Sequence, residues 1–193
     1  MEELSGAAVF YAHARAEEGC RRCDARAVRK SGIVEENMSY ERVKEYFESI
    51  DMGERVMVFE KSSATVEEAA LAVGCEPKQI AKTMSFLQKE GPVLIVAAGD
   101  VRVDNKKYKA EFHQKAKMIP WEQVEEQTGH APGGVCPFVV KPGVTIYLDV
   151  SLKRFETVYP AAGSGHSAVR LSIPELERYS GFMRWVDVCG GGE

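Results

Sequence analysis

No hydrophobic run in this chain approaches the roughly 20 residues that a membrane-spanning helix needs, so no membrane partner is expected. The first residues, MEELSGAAVFYAHARAEE, carry acids at once and hold no apolar signal core. No secretory signal is expected there. A disulfide framework is missing too. Five cysteines stand at 20, 23, 75, 136 and 189, an odd number and scattered except for CRRC, which fits a reducing cytoplasm. Excess positive charge is also lacking. A formal net charge of −4 argues against a protein held on nucleic acid by bulk charge alone, although a local basic patch stays open. Familiar catalytic signatures are absent: no defensible Ser–His–Asp pattern, no HExxH, no P-loop, no telltale pair of carboxylates. An enzyme of this sequence would work by positioning and by backbone donors rather than by a protein nucleophile.

What is present is an ordinary globular composition over 193 residues, enough for one domain with an extension. Residues 1–36 are rich in Ala, Arg and Glu and have no proline. They read as a helical appendage, with helix over part of 7–29, ahead of a domain spanning 37–193. From there the signals come at regular intervals. Ser39 reads as the N-cap of a helix with Tyr40, Val43, Phe47 and Ile50 on one face. Residues 56–59 read as a strand. Thr65 and Glu68 form a capping box for a helix that stops at Gly74. Residues 82–87 and 93–98 read as a hairpin around QKEG. Helices are expected from Asp104 and over 121–127, then strands at 135–140, 144–148, 155–159 and 167–171. Ser172, Pro174 and Glu175 open a closing helix. Hairpins imply antiparallel pairing, and no βαβ repeat is visible. The class is α+β: a mixed, barrel-like β-sheet with helices packed around it.

Several stretches could carry chemistry, each with a plainer explanation beside it. CRRC could be a redox pair or half a zinc site. No second pair of ligands accompanies it, so surface thiols are the simpler account, and neither metal nor cofactor is expected. The stretch RVDNKKYKAEFHQKAK (102–117) has six Lys/Arg against two Asp/Glu. It could meet phosphates through Lys106, Lys107 and Lys109, or be a solvated helix face with Tyr108 and Phe112 turned to the core. GSGH (163–166) could cradle a phosphate or simply turn a hairpin. Lys82, where a helical pattern gives way to TMSFL, could hold a partly desolvated ammonium in a cleft or snorkel at the surface.

The stretch TGHAPGGVCPF (128–138) puts two glycines between two prolines, a backbone stiff at both ends and bare in the middle. IAKTMSF (80–86), the basic stretch, EQTGHAPGGVCPF (126–138) and the turn AAGSGHSAVRLS (161–172) follow in that order. Together they resemble the YbaK/ProX family of aminoacyl-tRNA editing domains, related to the insertion domain of prolyl-tRNA synthetase. The resemblance runs over about 38–188 and implies a free-standing, cytoplasmic trans-editing deacylase. Such an enzyme hydrolyses the ester of a mischarged tRNA, here tRNA(Pro) carrying a small amino acid such as Ala or Cys.

The resemblance implies roles position by position. The family's essential lysine falls on Lys82, with Thr83 beside it at the substrate. Its glycine-rich loop falls on Gly129 to Gly134, where His130 and Pro132 border the ligand and the N–H groups of Gly133 and Gly134 meet the ester carbonyl. Phe59 takes the place of an aromatic residue at the pocket mouth. The C-terminal turn supplies Gly163, His166 and Ser167. Where YbaK has a serine before its glycines this chain has Ala161, and the YbaK aspartate falls on Ser167, so cysteine specificity is not carried over. Fixed N–H donors that stabilise negative charge on an ester oxygen contribute roughly 3 kcal/mol each to lowering the barrier. His130 and then His166 are the nearest candidate bases; a ribose hydroxyl of the terminal adenosine is the family's usual assistant. The implied partners are the mischarged acceptor end and an aminoacyl-tRNA synthetase or elongation factor. Two other readings stand beside this one: a non-catalytic tRNA- or nucleotide-binding module on the same fold, and a redox or metal protein built on CRRC.

Overall fold

The computed structural model describes residues 38–60, 63 and 65–191. The expected appendage and CRRC lie outside them. At the centre is a hairpin of β2 (Ile80–Gln88) and β3 (Gly91–Ala98), in register from Ala81 opposite Ala98 to Gln88 opposite Gly91. β3 is buried at every residue from Val93 to Ala98, so both its faces are covered. That is why its sequence is a continuous apolar run rather than an alternation.

Around the hairpin the six-stranded sheet runs β8 (Leu171–Ser172), β6 (Thr157–Pro160), β2, β3, β5 (Thr145–Asp149), β9 (Arg184–Val186). The sheet is mixed, as expected: beside the antiparallel β2–β3 hairpin, β6 joins β2, β5 joins β3 and β9 joins β5 in parallel. The chain between β3 and β5 is long enough to cross over, because it holds α3 (Asn105–Phe112) and α4 (Val124–Thr128). Two short antiparallel pairs complete the curl: β1 (Val56–Val58) with β7 (Ser167–Val169), and β4 (Arg102–Val103) with β10 (Cys189–Gly190).

The helices follow their local signals. α2 (Val66–Val73) has the Thr65–Glu68 capping box and stops at Gly74 in the left-handed region. α5 (Ile173–Ser180) opens on the Ser172–Glu175 box. α3 is capped by Asp104, whose carboxyl accepts from the Lys106 and Lys107 N–H groups. Its Tyr108 is fully buried, between Phe86 (ring centroids 5.2 Å apart) and Phe112 (4.7 Å). The aromatic face of the basic helix therefore belongs to the core.

α1 (residues 38–49) buries Val43 and Phe47, and Phe47 meets Phe138 edge to face at 4.9 Å. Ser39 is not the N-cap: it lies inside the helix, fully buried. Its hydroxyl is 2.5 Å from His130 Nδ1, while His130 Nε2 is 2.8 Å from the Phe138 carbonyl oxygen. A carbonyl only accepts, so Nε2 carries the proton and Ser39 donates to Nδ1. Burial pushes the His130 pKa down to about 4, against the Phe138 hydrogen bond, which raises it.

Residues 135–140 are not a strand. Pro137 has no N–H to give a ladder, and Val139 sits at φ 49 in the left-handed region. The segment instead sends Cys136 and Phe138 into the core.

Two backbone approaches hold this region together. A Cβ on Gly134 would lie 2.6 Å from Ser164 Cα, and one on Gly163 would lie 2.7 Å from the Ser39 carbonyl oxygen. Gly134→Ala should therefore cost about 1–3 kcal/mol or more in chemical denaturation, because backbone rather than a flexible side chain must yield. Gly190→Ala, whose Cβ meets nothing nearer than 4.0 Å, is the neutral control; equal costs would disprove the contact.

His130 predicts a pH dependence. The unfolded imidazole takes its proton near 6.5, the folded one only near 4. Acid thus favours the unfolded chain in that window, and the contribution, about 3 kcal/mol, is complete above 6.5 and lost as pH falls towards 4. Stability measured from pH 7 to 4 should fall less in His130→Asn than in the parent protein. Parallel curves would refute the assignment.

Candidate functional site

A cavity of about 430 Å³ opens where the first half of β2 faces the start of α2, the Pro132–Gly133 turn, the Ala161–Ala168 turn and the segment Met118–Val124. Its walls are largely apolar, with Val66, Ala69, Ile80 and Tyr159 on one side and Val135 on another. No Asp, Glu, His or Cys is among the described lining residues. No group of three or more potential metal ligands occurs among the described residues.

Lys82 is the one charged side chain among the described lining residues. β2 presents it half-buried, and its Nζ donates to the carbonyls of Gly99, at 2.9 Å, and Val101. That carbonyl pair sits on a turn fixed by another backbone approach, since a Cβ on Gly99 would lie 2.0 Å from the Pro77 carbonyl oxygen. Burial lowers the Lys82 pKa; Cys189 and Asp100 nearby oppose that. Asp100 itself is held by Arg154, with contacts of 2.6 and 3.0 Å. Lys82 has no carboxylate within ion-pair distance among the described residues. Neutral carbonyls anchor the ammonium without cancelling its charge, and one of its three N–H donors remains for a ligand.

Thr83 also lines the cavity, and its buried hydroxyl has no hydrogen-bond partner among the described residues. A buried hydroxyl left unpaired costs about 1–3 kcal/mol, so it is a donor waiting for an acceptor.

The glycine loop is a type II turn. The Gly134 N–H donates to the Ala131 carbonyl at 3.0 Å, Pro132 holds the second position, and Gly133 holds the third at φ 91. Of the two glycine N–H groups, that of Gly133 is the one without an acceptor among the described residues. The expectation that both glycines offer donors is thus corrected: Gly134 is small because Ser164 packs on it, and its N–H is spent within the turn.

The other predicted residues divide. Pro132 and Ser167 line the cavity with Lys82, Thr83 and Gly133. Ser167 Oγ is 2.9 Å from Ser164 Oγ, so the two hydroxyls satisfy each other. His130 does not line it, and both its ring nitrogens are occupied, which removes it as a base at the cavity. Gly129 ends α4 at φ 88 and accepts from Arg42 through its carbonyl. Gly163 packs on Ser39, outside the lining. Phe59 is half-buried outside the lining, and its N–H donates to the His166 carbonyl at 2.8 Å; the His166 side chain is exposed. Lys106, Lys107 and Lys109 lie on α3 and do not reach the cavity lining. Lys107 is tied to Asp187 at 2.7 Å and to the Cys189 carbonyl at 2.9 Å.

Sequence reasoning missed the α2 wall and the rim. The Thr65 box marked a helix start without saying what it faced. Trp121 was read only as the start of a helix. Cys136 and Cys189 are no nucleophiles: burial pushes each thiol up to about 12.

The aminoacyl-tRNA editing domain family matches residues 60–179. The uncharacterized protein YwhH of Bacillus subtilis (strain 168) is 49% identical over 154 residues, 79% of this chain and 98% of that protein. A solved structure described as a candidate trans-editing enzyme for prolyl tRNA synthetase superposes with a TM-score of 0.71 at 31% identity, covering 79% of this chain and 98% of its own. The proline–tRNA ligase of Limosilactobacillus fermentum is 37% identical over 95 residues, which are 46% of this chain and only 17% of the ligase. With the family matched across the elements that build the cavity, this chain belongs to the aminoacyl-tRNA editing domain family.

Proposed function

We propose that the protein is a free-standing trans-editing deacylase that hydrolyses the ester of a mischarged tRNA, with tRNA(Pro) carrying a small amino acid such as Ala or Cys as the substrate class. One observation carries this reading: the cavity offers an ammonium held by neutral carbonyls and unpaired donors, but no Asp, Glu, His or Cys among its described lining residues. That set suits a substrate that brings its own electrophile and its own proton acceptor. The family and the trans-editing neighbour support the same role.

In this mechanism the acyl side chain lies against the apolar wall of Val66, Ala69 and Ile80. Water adds to the ester carbonyl carbon. Negative charge grows on the carbonyl oxygen, where the Gly133 N–H and the Thr83 hydroxyl can donate. The water's proton passes to the neighbouring hydroxyl of the terminal ribose, which hands its own proton to the ester oxygen. The bond from the acyl carbon to the ribose oxygen then breaks, and that oxygen leaves with a proton. The third N–H of Lys82 holds the anionic backbone or the ester in place. The rival reading, a binding module without turnover, draws on the Ser164–Ser167 hydroxyl pair, which leaves that turn with less to offer a ligand.

Deacylation of Ala-, Cys-, Ser- and Pro-tRNA(Pro), with the cognate pairs, decides between them. The parent protein should turn over one mischarged species, and Lys82→Ala should lose about 10²-fold or more in kcat/KM. A 2′-deoxy terminal adenosine should be equally poor, since it lacks the assisting hydroxyl. Binding of the whole panel with no turnover would establish the binding module instead.

Thr83→Val separates function from stability. Removing a buried, unpaired hydroxyl should leave the melting temperature unchanged or higher. The same change should lower kcat by about tenfold or more if the hydroxyl donates in the transition state. Unchanged kcat would show that Thr83 is only part of the wall.

A further inference from the structure

Beside the cavity stands an aromatic ring with no hydrogen-bond, ring or cation partner among the described residues. Trp121 is 68% exposed and lines the cavity, and Met118, three residues earlier, is 62% exposed and lines it too. The other tryptophan shows what a structural ring looks like in this protein. Trp185 donates to Glu177 at 2.7 Å, packs on Phe182 and lies under the Lys153 ammonium. Trp121 has no such partner among the described residues.

Its backbone is nevertheless fixed. The segment before it lies along β2, with Leu87 N–H donating to the Lys117 carbonyl at 2.8 Å and Ile119 N–H to the Ser85 carbonyl at 3.1 Å. Pro120 then turns the chain, and the Gln123 N–H closes the turn on the Pro120 carbonyl at 2.9 Å. Buried Ile119 and Val124 pin both sides of the ring's attachment.

Charge is arranged along the same segment. Residues 113–119, HQKAKMI, hold Lys115 and Lys117 and no acid; both lysines are exposed. Acids begin only past the ring, at Glu122, Glu125 and Glu126. An anionic strand is favoured on one side of Trp121 and opposed on the other.

We propose that Met118 and Trp121 form the stacking platform for the terminal base of a single-stranded RNA 3′ end, with its phosphates running over Lys115 and Lys117. The proposal rests on reading the cavity as the site of an acceptor-end ester. It moves the nucleic-acid contact from α3 to the 115–121 rim. An exposed aromatic ring continuous with a cavity, flanked by cations, is the arrangement that binds unpaired bases irrespective of sequence. It also fits a protein of net negative charge, because a few phosphates need only a local patch.

The full chain carrying Trp185→Phe leaves Trp121 as its only tryptophan. Titrating it with a short RNA ending in CCA should quench the fluorescence to saturation, and the same RNA lacking the final A should quench less. In the otherwise unchanged chain, anisotropy with labelled RNA should show Trp121→Ala binding about tenfold or more weaker, and Trp121→Phe within about threefold of the parent. Lys115→Ala with Lys117→Ala should weaken binding and flatten its salt dependence. Binding without quenching, no binding of the RNA, or equal affinity in Trp121→Ala would overturn the platform. The two readings fail separately. Deacylation without quenching keeps the hydrolase and removes the platform; quenching without deacylation keeps the platform and removes the hydrolase.

Discussion

The cavity depends on two places where backbone rests on backbone. Gly134 packs on Ser164, and Gly163 packs on the Ser39 carbonyl, so the Pro-Gly turn, the C-terminal turn and α1 stack without side chains between them. That stack sets where Gly133 stands relative to β2. The His130 ring, just before the Pro-Gly turn, ties α1 to the segment after that turn, with Ser39 on one nitrogen and the Phe138 carbonyl on the other. A residue that looks catalytic in a linear sequence is here a buried strut. Its low proton affinity follows from its place in the core, and needs no chemical role. Rigidity of this kind matters for a site whose donors are backbone groups, since such donors cannot swing to meet a misplaced ligand.

Local signals in the sequence were legible where the chain itself determines the outcome. Capping boxes at Thr65 and Ser172, the stop at Gly74 and the β2–β3 hairpin all depend on contacts within a few residues. Non-local choices were not legible. Parallel pairing of β5, β6 and β9 is settled by long crossovers, and nothing inside a five-residue strand records its partner's direction. The 135–140 stretch has strand-like composition, but Pro137 and the left-handed Val139 defeat it. For the site, the motif glycines were found and their reasons were half right. Gly133 serves a turn that leaves its N–H free, whereas Gly134 serves packing. The rim was invisible, because an exposed Trp and a buried one look alike in sequence.

Electrostatics explain why one lysine is enough. In water an ammonium and a phosphate a few ångströms apart gain only about 1 kcal/mol, and several times that at a half-desolvated site. Desolvation also opposes the charge itself, and the lowered pKa of Lys82 is the mark of that opposition. The Gly99 and Val101 carbonyls offset part of it while adding no negative charge. Had Asp100 met Lys82 directly, the pair would have been neutral and the cavity blind to an anion. Arg154 takes that carboxylate instead. Thus a surface ion pair that contributes little to stability preserves the charge of the site.

An apolar wall discriminates poorly between side chains that differ by one methylene; such differences are worth only about 1–3 kcal/mol. A hydrolase relying on Val66, Ala69 and Ile80 alone would therefore attack correctly charged tRNAs bearing slightly smaller or equal groups. The proposed function needs a second source of selectivity, and the rim alone does not provide it, because stacking accepts any base. What remains is the pairing of weak readings: the acyl group in the cavity, the 3′ end on Trp121 and the rest of the tRNA, or a protein carrying it, beyond the described surface. Each contributes little, and the product of small preferences sets the outcome. A tight grip on the acceptor end would work against this, since every aminoacyl-tRNA shares that end. Net negative charge and a patch of two lysines are then suited to the task, because they keep the common part of the substrate weakly held.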